Sequence, residues 1–85
     1  MPVISMFYGI IIYMNWNDHM PPHFHAKYHE FRGIFTLTGE LLEGNIPARQ
    51  MRQIKVWAEL HYDELEADWE VSRQDEPLYR IDPLK

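Results

Sequence analysis

Gly9-Ile10-Ile11-Ile12-Tyr13-Met14-Asn15-Trp16 is the stretch that decides the fold. It is β-branched and aromatic, which favours a pleated strand over a helix. It is apolar at every position from Ile10 to Met14. That pattern predicts a strand buried on both faces, central in its sheet or covered by helices. Upstream, Val3 to Phe7 is apolar and reads as extended chain. Downstream, Asn17-Asp18-His19 is turn chemistry.

The next stretch is Met20-Pro21-Pro22-His23-Phe24-His25-Ala26-Lys27-Tyr28. Proline fixes its own φ and biases the preceding residue to extended conformations. Met20-Pro21-Pro22 therefore reads as a stiff, extended lead-in to a strand from His23 onward. On a strand, residues two apart share a face. His23 and His25 then project together, with Phe24 and Ala26 opposite. His29-Glu30 predicts a short reversal, followed by a strand from Phe31 to Leu37. In that strand Phe31, Gly33, Phe35 and Leu37 face one way, and Arg32, Ile34 and Thr36 the other. Thr38-Gly39 is a tight turn. Glu40-Leu41-Leu42-Glu43 returns as a short strand ended by Gly44-Asn45. With every link this short, an antiparallel meander is the economical topology.

Pro47 suits the first position of a helix. Beyond it Met51, Ile54, Ala58 and His61 recur at helical spacing beside Trp57, an amphipathic face for a sheet. The polar run His61-Tyr62-Asp63-Glu64 predicts a break near 61–63, and helical character continues to about residue 73. The tail from residue 74 to 85 is held extended by Pro77 and Pro83, and its Leu78 and Ile81 should lie along the body. The expected architecture is α+β: one domain over residues 1–85, strands over about 3–44 and helices over about 47–73. Its small antiparallel sheet has three or four strands, and the two helices pack on one face.

Eighty-five residues hold one modest core, and 46% hydrophobic content excludes a disordered chain. There are no cysteines, so disulfides and thiolate metal sites are excluded. Met1 to Met6 lacks a basic leader and a small-residue cleavage site, so no secretory signal is expected there. The longest apolar run, Gly9 to Tyr13, is far short of a membrane span. A cytoplasmic protein is the expectation. Net charge is −5 and unevenly placed. Residues 1–55 carry five basic and four acidic side chains, and residues 56–85 carry three and nine. Bulk attraction to nucleic acid is therefore unfavourable, and only a local basic patch could supply it.

Four of the five histidines fall between His19 and His29, beside Asp18 and Glu30. Two imidazoles on one strand face are a common beginning of a transition-metal site. His23 and His25 are the candidate ligands, for zinc, nickel or copper. A third could come from His19, Asp18, His29 or Glu30. Asp18, His19, His23 and His25 form the candidate site. The same histidines could serve as acid and base in metal-free RNA cleavage, with Lys27 or Arg32 holding phosphate. Packed strand histidines are the plain alternative. Arg49, Arg52 and Lys55 recur along one helix side. That row could bind a phosphate backbone, or simply form the wet face of the helix. No glycine-rich phosphate loop is present, and no Ser or Thr sits in a nucleophile motif. Trp16, Phe24, Tyr28, Phe31, Tyr62 and Tyr79 exceed what one small core can bury, which points to a homodimer or a protein partner. The stiff turn at Pro21-Pro22 places that contact near Asp18 to Tyr28.

Several of these residues together resemble a known family. They are Met1-Pro2, Ser5 to Ile12, Asn17-Asp18-His19, Pro21-Pro22-His23-Phe24-His25, Gly39-Glu40, Leu42-Glu43-Gly44 and Trp57-Ala58-Glu59-Leu60-His61. The chain resembles the bacterial domain-of-unknown-function family numbered 4160 over nearly its whole length, with Pro-Pro-His-x-His as the most specific part. The resemblance implies a small cytosolic protein encoded beside another small protein. It therefore implies an interaction module with that neighbour, in a toxin–antitoxin-like pair. It assigns no catalytic residues.

Overall fold

A computed structural model describes residues 2–85. Met1, which the family resemblance includes, lies outside the described residues. Five strands form one antiparallel sheet: β1 (Val3–Phe7), β2 (Ile10–Tyr13), β3 (His23–Tyr28), β4 (Phe31–Thr36) and β5 (Leu41–Asn45). Their order in the sheet is their order in the chain, a plain meander. Two helices follow, α1 (Ala48–Leu60) and α2 (Tyr62–Ser72).

The sheet has five strands rather than three or four because the apolar N-terminal run is cut in two. Tyr8 and Gly9 both take positive φ, 49° and 79°, and Phe7 pairs with Ile10 across them. That two-residue turn matches the natural twist of paired strands. The register then shifts between Val3 and Ser5, which turns both Ile4 and Ser5 inward. β2 is second in the sheet and is not buried on both faces. Ile10, Ile12 and Met14 are buried, while Ile11 and Tyr13 are half-buried on the other side.

The alternation read from β4 holds: Gly33, Phe35 and Leu37 are buried and Arg32 is exposed. Phe24 stacks on Phe35, with ring centres 5.6 Å apart, and meets Trp57 of α1 edge-on at 5.7 Å. Trp57 also lies 5.4 Å from Phe7. One face of the sheet is thus closed by α1 through Ile54, Trp57 and Ala58, all fully buried. α1 begins at Ala48, with Pro47 as its N-cap rather than its first helical residue, and it ends at His61, beyond which α2 begins, where the polar run predicted a break. Leu65 of α2 joins the same core, and Trp69 reaches His23 at 5.4 Å. The tail lies along the body: Ile81 is buried, and its N–H donates to the Ile4 carbonyl at 2.7 Å. Among the described residues, no helix is long and apolar enough to cross a membrane.

Met20-Pro21 is a bend with a cis peptide between the two residues, not the extended lead-in expected. The chain from Met14 to Pro22 is a loop folded over the start of β3, where Asp18 and the Pro21 carbonyl meet the His23 ring.

Candidate functional site

Strand register builds the site. Tyr13, His25, Ile34 and Glu43 form one row across β2, β3, β4 and β5, and Ile11, Lys27, Arg32 and Asn45 the next. Both rows lie on the sheet face opposite Phe24 and Ala26. His25 stacks flat on Tyr13, ring centres 4.8 Å apart and 9° from parallel. His23, the first residue of β3, is 1% exposed and lies against Trp69.

Asp18 brings the two histidines together. Its Oδ2 lies 2.9 Å from His23 Nε2 and 3.1 Å from His25 Nε2. One donor atom from each of the three residues falls within 4.8 Å of the others. His19 stands at the rim with its side chain 79% exposed, its Nε2 3.7 Å from the other Asp18 oxygen. His29 and Glu30 sit in the β3–β4 turn, at the far end of the strand from His23. The sequence left the third member of the cluster open among these residues, and the fold brings Asp18 to both rings.

The electrostatics of His23 are unusual. Its Nδ1 lies 2.7 Å from the Pro21 carbonyl oxygen, which can only accept a hydrogen bond. Nδ1 must therefore carry the hydrogen, leaving the Nε2 lone pair of a neutral ring facing the Asp18 carboxylate. No neutral tautomer satisfies both contacts. Either an imidazolium or a cation between Nε2 and the carboxylate resolves the conflict. For Asp18 itself, burial is the largest influence and pushes its pKa up. Hydrogen bonds from His25, the His19 N–H and His23 together outweigh it and hold the carboxyl at about 2. Asp18 is an anion at any ordinary pH.

The loop carrying Asp18 is held from the other end of the chain, which sequence reasoning missed. Asn17 N–H donates to the Ser72 carbonyl at 3.0 Å, and its side-chain amide to Asp75 at 2.5 Å. Trp16 Nε1 donates to the Glu76 carbonyl at 2.8 Å. The Arg73 guanidinium donates to the Asp18 carbonyl and lies over the Trp69 ring. Pairings across some 55 to 60 residues carry no local sequence signal.

The basic row is elsewhere. Arg49 and Arg52 are exposed on α1, and Lys55 pairs with Glu40 at 2.5 Å. None of the three shares a hydrogen bond with the histidine cluster. Of the surplus aromatics, Phe24 is core, Tyr28 and Phe31 are half-buried, and Trp16, Tyr62 and Tyr79 are exposed.

The profile of the family described as Domain of unknown function (DUF4160) matches residues 9–70. The chain belongs to this family. The match spans β2 through most of α2, so in this DUF4160 protein it includes Asp18, His23 and His25. It stops short of Arg73 and Asp75, two of the tethers that hold the Asp18 loop. No curated protein and no solved structure matches the chain.

Proposed function

We propose that the protein binds a divalent transition metal ion through His23, His25 and Asp18. The observation that carries this reading is the buried His23 ring, with acceptors at both nitrogens. A backbone carbonyl on Nδ1 is the usual outer partner of a histidine that ligates through Nε2. The Nε2 and carboxylate oxygen separations, 2.9 and 3.1 Å, suit donors gathered around one small ion. Zinc, nickel and copper are the ions that two imidazoles and a carboxylate favour. Three protein ligands leave a position for water, which a metal ion can activate for hydrolysis. Beside His25 is a hollow of about 210 Å³ lined by Tyr13, Arg32, Ile34 and Glu43. Lys27 pairs with Arg32 on the same face, so RNA phosphate is the substrate we tie to this site. Tag-free protein should take up zinc, nickel or copper in titration calorimetry, and His23→Ala or His25→Ala should each abolish it. Uptake that survives the double substitution would place the binding elsewhere.

A second reading is an interaction module acting with the product of an adjacent gene, as in a toxin–antitoxin pair. It is supported by the apolar side chains left at the surface, among them Trp16, Met20, Leu42, Leu60 and Tyr79. Aromatic and Met side chains are favoured interface anchors. Co-expression with the neighbour, followed by size exclusion with light scattering, tests it across pH 5.5–8 (a range that spans the ordinary imidazole value of about 6.5). A strict monomer that ignores the neighbour throughout would end this reading.

A further inference from the structure

The two edges of the sheet are finished differently. At β1 the tail covers the edge, with the Ile81 N–H on the Ile4 carbonyl and prolines at 77 and 83. β5 pairs only with β4 among the described residues, and all five of its residues are exposed. A free edge presents a row of unpaired N–H and C=O groups, which natural proteins usually blunt with charge or proline. β5 carries Leu41 and Leu42, a single charge, Glu43, and one register irregularity at Leu42, so its edge is blunted only lightly.

Beside that edge, between the β4–β5 turn and α1, is an open groove of about 440 Å³. Phe35, Leu41, Ala48 and Met51 give it an apolar lining, and Arg52 and Lys55 its charged rim. Glu40 already neutralises Lys55. Arg52 and, one turn earlier, Arg49 have no carboxylate partner within ion-pair distance among the described residues. The surface thus offers a strand's hydrogen bonds, an apolar recess and two free positive charges.

We infer that β5 and this groove take an extended segment of another protein, added as a sixth strand. One apolar side chain of that segment fills the groove, and its acidic residues face Arg49 and Arg52. A second copy of this chain is a poorer occupant. Antiparallel pairing of β5 with itself over all five residues sets Glu43 against Glu43, and like charges directly opposite are destabilising. The inference rests on the partner reading and moves its contact away from β3. That strand lies between β2 and β4 and has no free edge.

The test is panning of a displayed library of random peptides, each about six residues long, against the whole protein. Enriched peptides should combine a large apolar residue with Asp or Glu, and should slow amide exchange along β5. Arg49→Glu with Arg52→Glu should weaken them by on the order of tenfold or more, while His25→Ala leaves them unchanged. Failure to enrich, enriched peptides indifferent to the charge reversal, or concentration-dependent dimerisation that protects β5 would each overturn the inference. A complex with the co-expressed neighbour that survives the charge reversal would remove this surface and leave the partner reading standing. If peptides bind as expected but the neighbour does not, the surface stands and that partner falls.

Discussion

His23 Nε2 lies 2.9 Å from Asp18 Oδ2, while its Nδ1 donates to the Pro21 carbonyl. A buried ring with acceptors on both sides has a hydrogen too few when neutral. Asp18→Asn separates the two ways of supplying the missing positive charge. The asparagine amide can donate to the His23 Nε2 lone pair, so the neutral ring is satisfied without any ion. The variant should keep its fold and lose about 2 kcal/mol at pH 7, the contribution of the ionised carboxylate. Its metal affinity should fall by at least about tenfold, since a charged ligand is lost. Calorimetry for the metal and urea melts for the fold give the two readouts. Unchanged affinity would remove Asp18 from the ligand set.

The acid limb of the stability profile follows from the same carboxylate. Its folded-state value is about 2, against an ordinary 3.8. A depressed folded value stabilises the fold above the unfolded value and loses that contribution as pH falls through the folded one. Asp18 should therefore contribute about 2 kcal/mol at neutral pH, lost between roughly pH 4 and pH 2. Its side chain is only 16% exposed, so solvent screening reduces this little. Urea midpoints measured through that window should fall more steeply for the parent than for Asp18→Asn. Parallel curves would mean that the histidine contacts do not hold the carboxyl down.

Much of the fold was legible because it is written locally. The alternation in Phe31 to Leu37, the proline before α1 and the polar break at His61 each act within a turn or a strand. Tyr8-Gly9 was harder, because Tyr8 adopts positive φ without being glycine and the apolar run continues across it. The pairing of His23 with His25 followed from two-residue spacing. The choice of Asp18 as their partner did not, since the loop is aimed by Asn17, Arg73 and Trp16 through contacts with residues 72–76 and 18. Those contacts join the two ends of the chain, and no window of sequence contains both.

Gly44 carries a prediction of its own. It sits inside β5 at φ +98°, opposite Gly33. A Cβ there would run into the Arg32 carbonyl oxygen and come within 2.9 Å of the Gly33 Cα. Both obstacles are backbone, which cannot turn aside as a side chain would. Gly44→Ala should cost about 2 kcal/mol or more, in strain and in lost β4–β5 pairing. Thermal melts measure the loss, and amide exchange should show it concentrated in β4 and β5. A loss below about 0.5 kcal/mol would mean that β5 adjusts freely at this position.

Asp68 ties the tail to the body. It is 1% exposed on α2, and its Oδ1 accepts the Tyr79 N–H at 2.9 Å. Its Oδ2 has no hydrogen-bond partner among the described residues. Burial pushes its pKa up, the Tyr79 N–H pulls it down, and the nearby Glu64 charge pushes it up again, leaving it raised. Beyond Tyr79, Ile81 bonds Ile4 and the Asp82 carbonyl accepts from Trp57 Nε1 at 2.8 Å. Asp68→Ala removes the first of these anchors and leaves a part-buried N–H without its acceptor, at a cost of about 1 kcal/mol. Amide exchange at Tyr79 and Ile81 should quicken, while exchange in β3 stays as it was. A raised folded value makes the carboxyl's contribution greatest below its unfolded value, and that contribution is lost as pH rises through the folded one. The gap between parent and Asp68→Ala should therefore be wider in mild acid than at pH 8 (both well above the Asp18 window). An equal gap at both would leave the tether but remove the buried charge from its account, and unchanged exchange at Tyr79 would remove the tether itself.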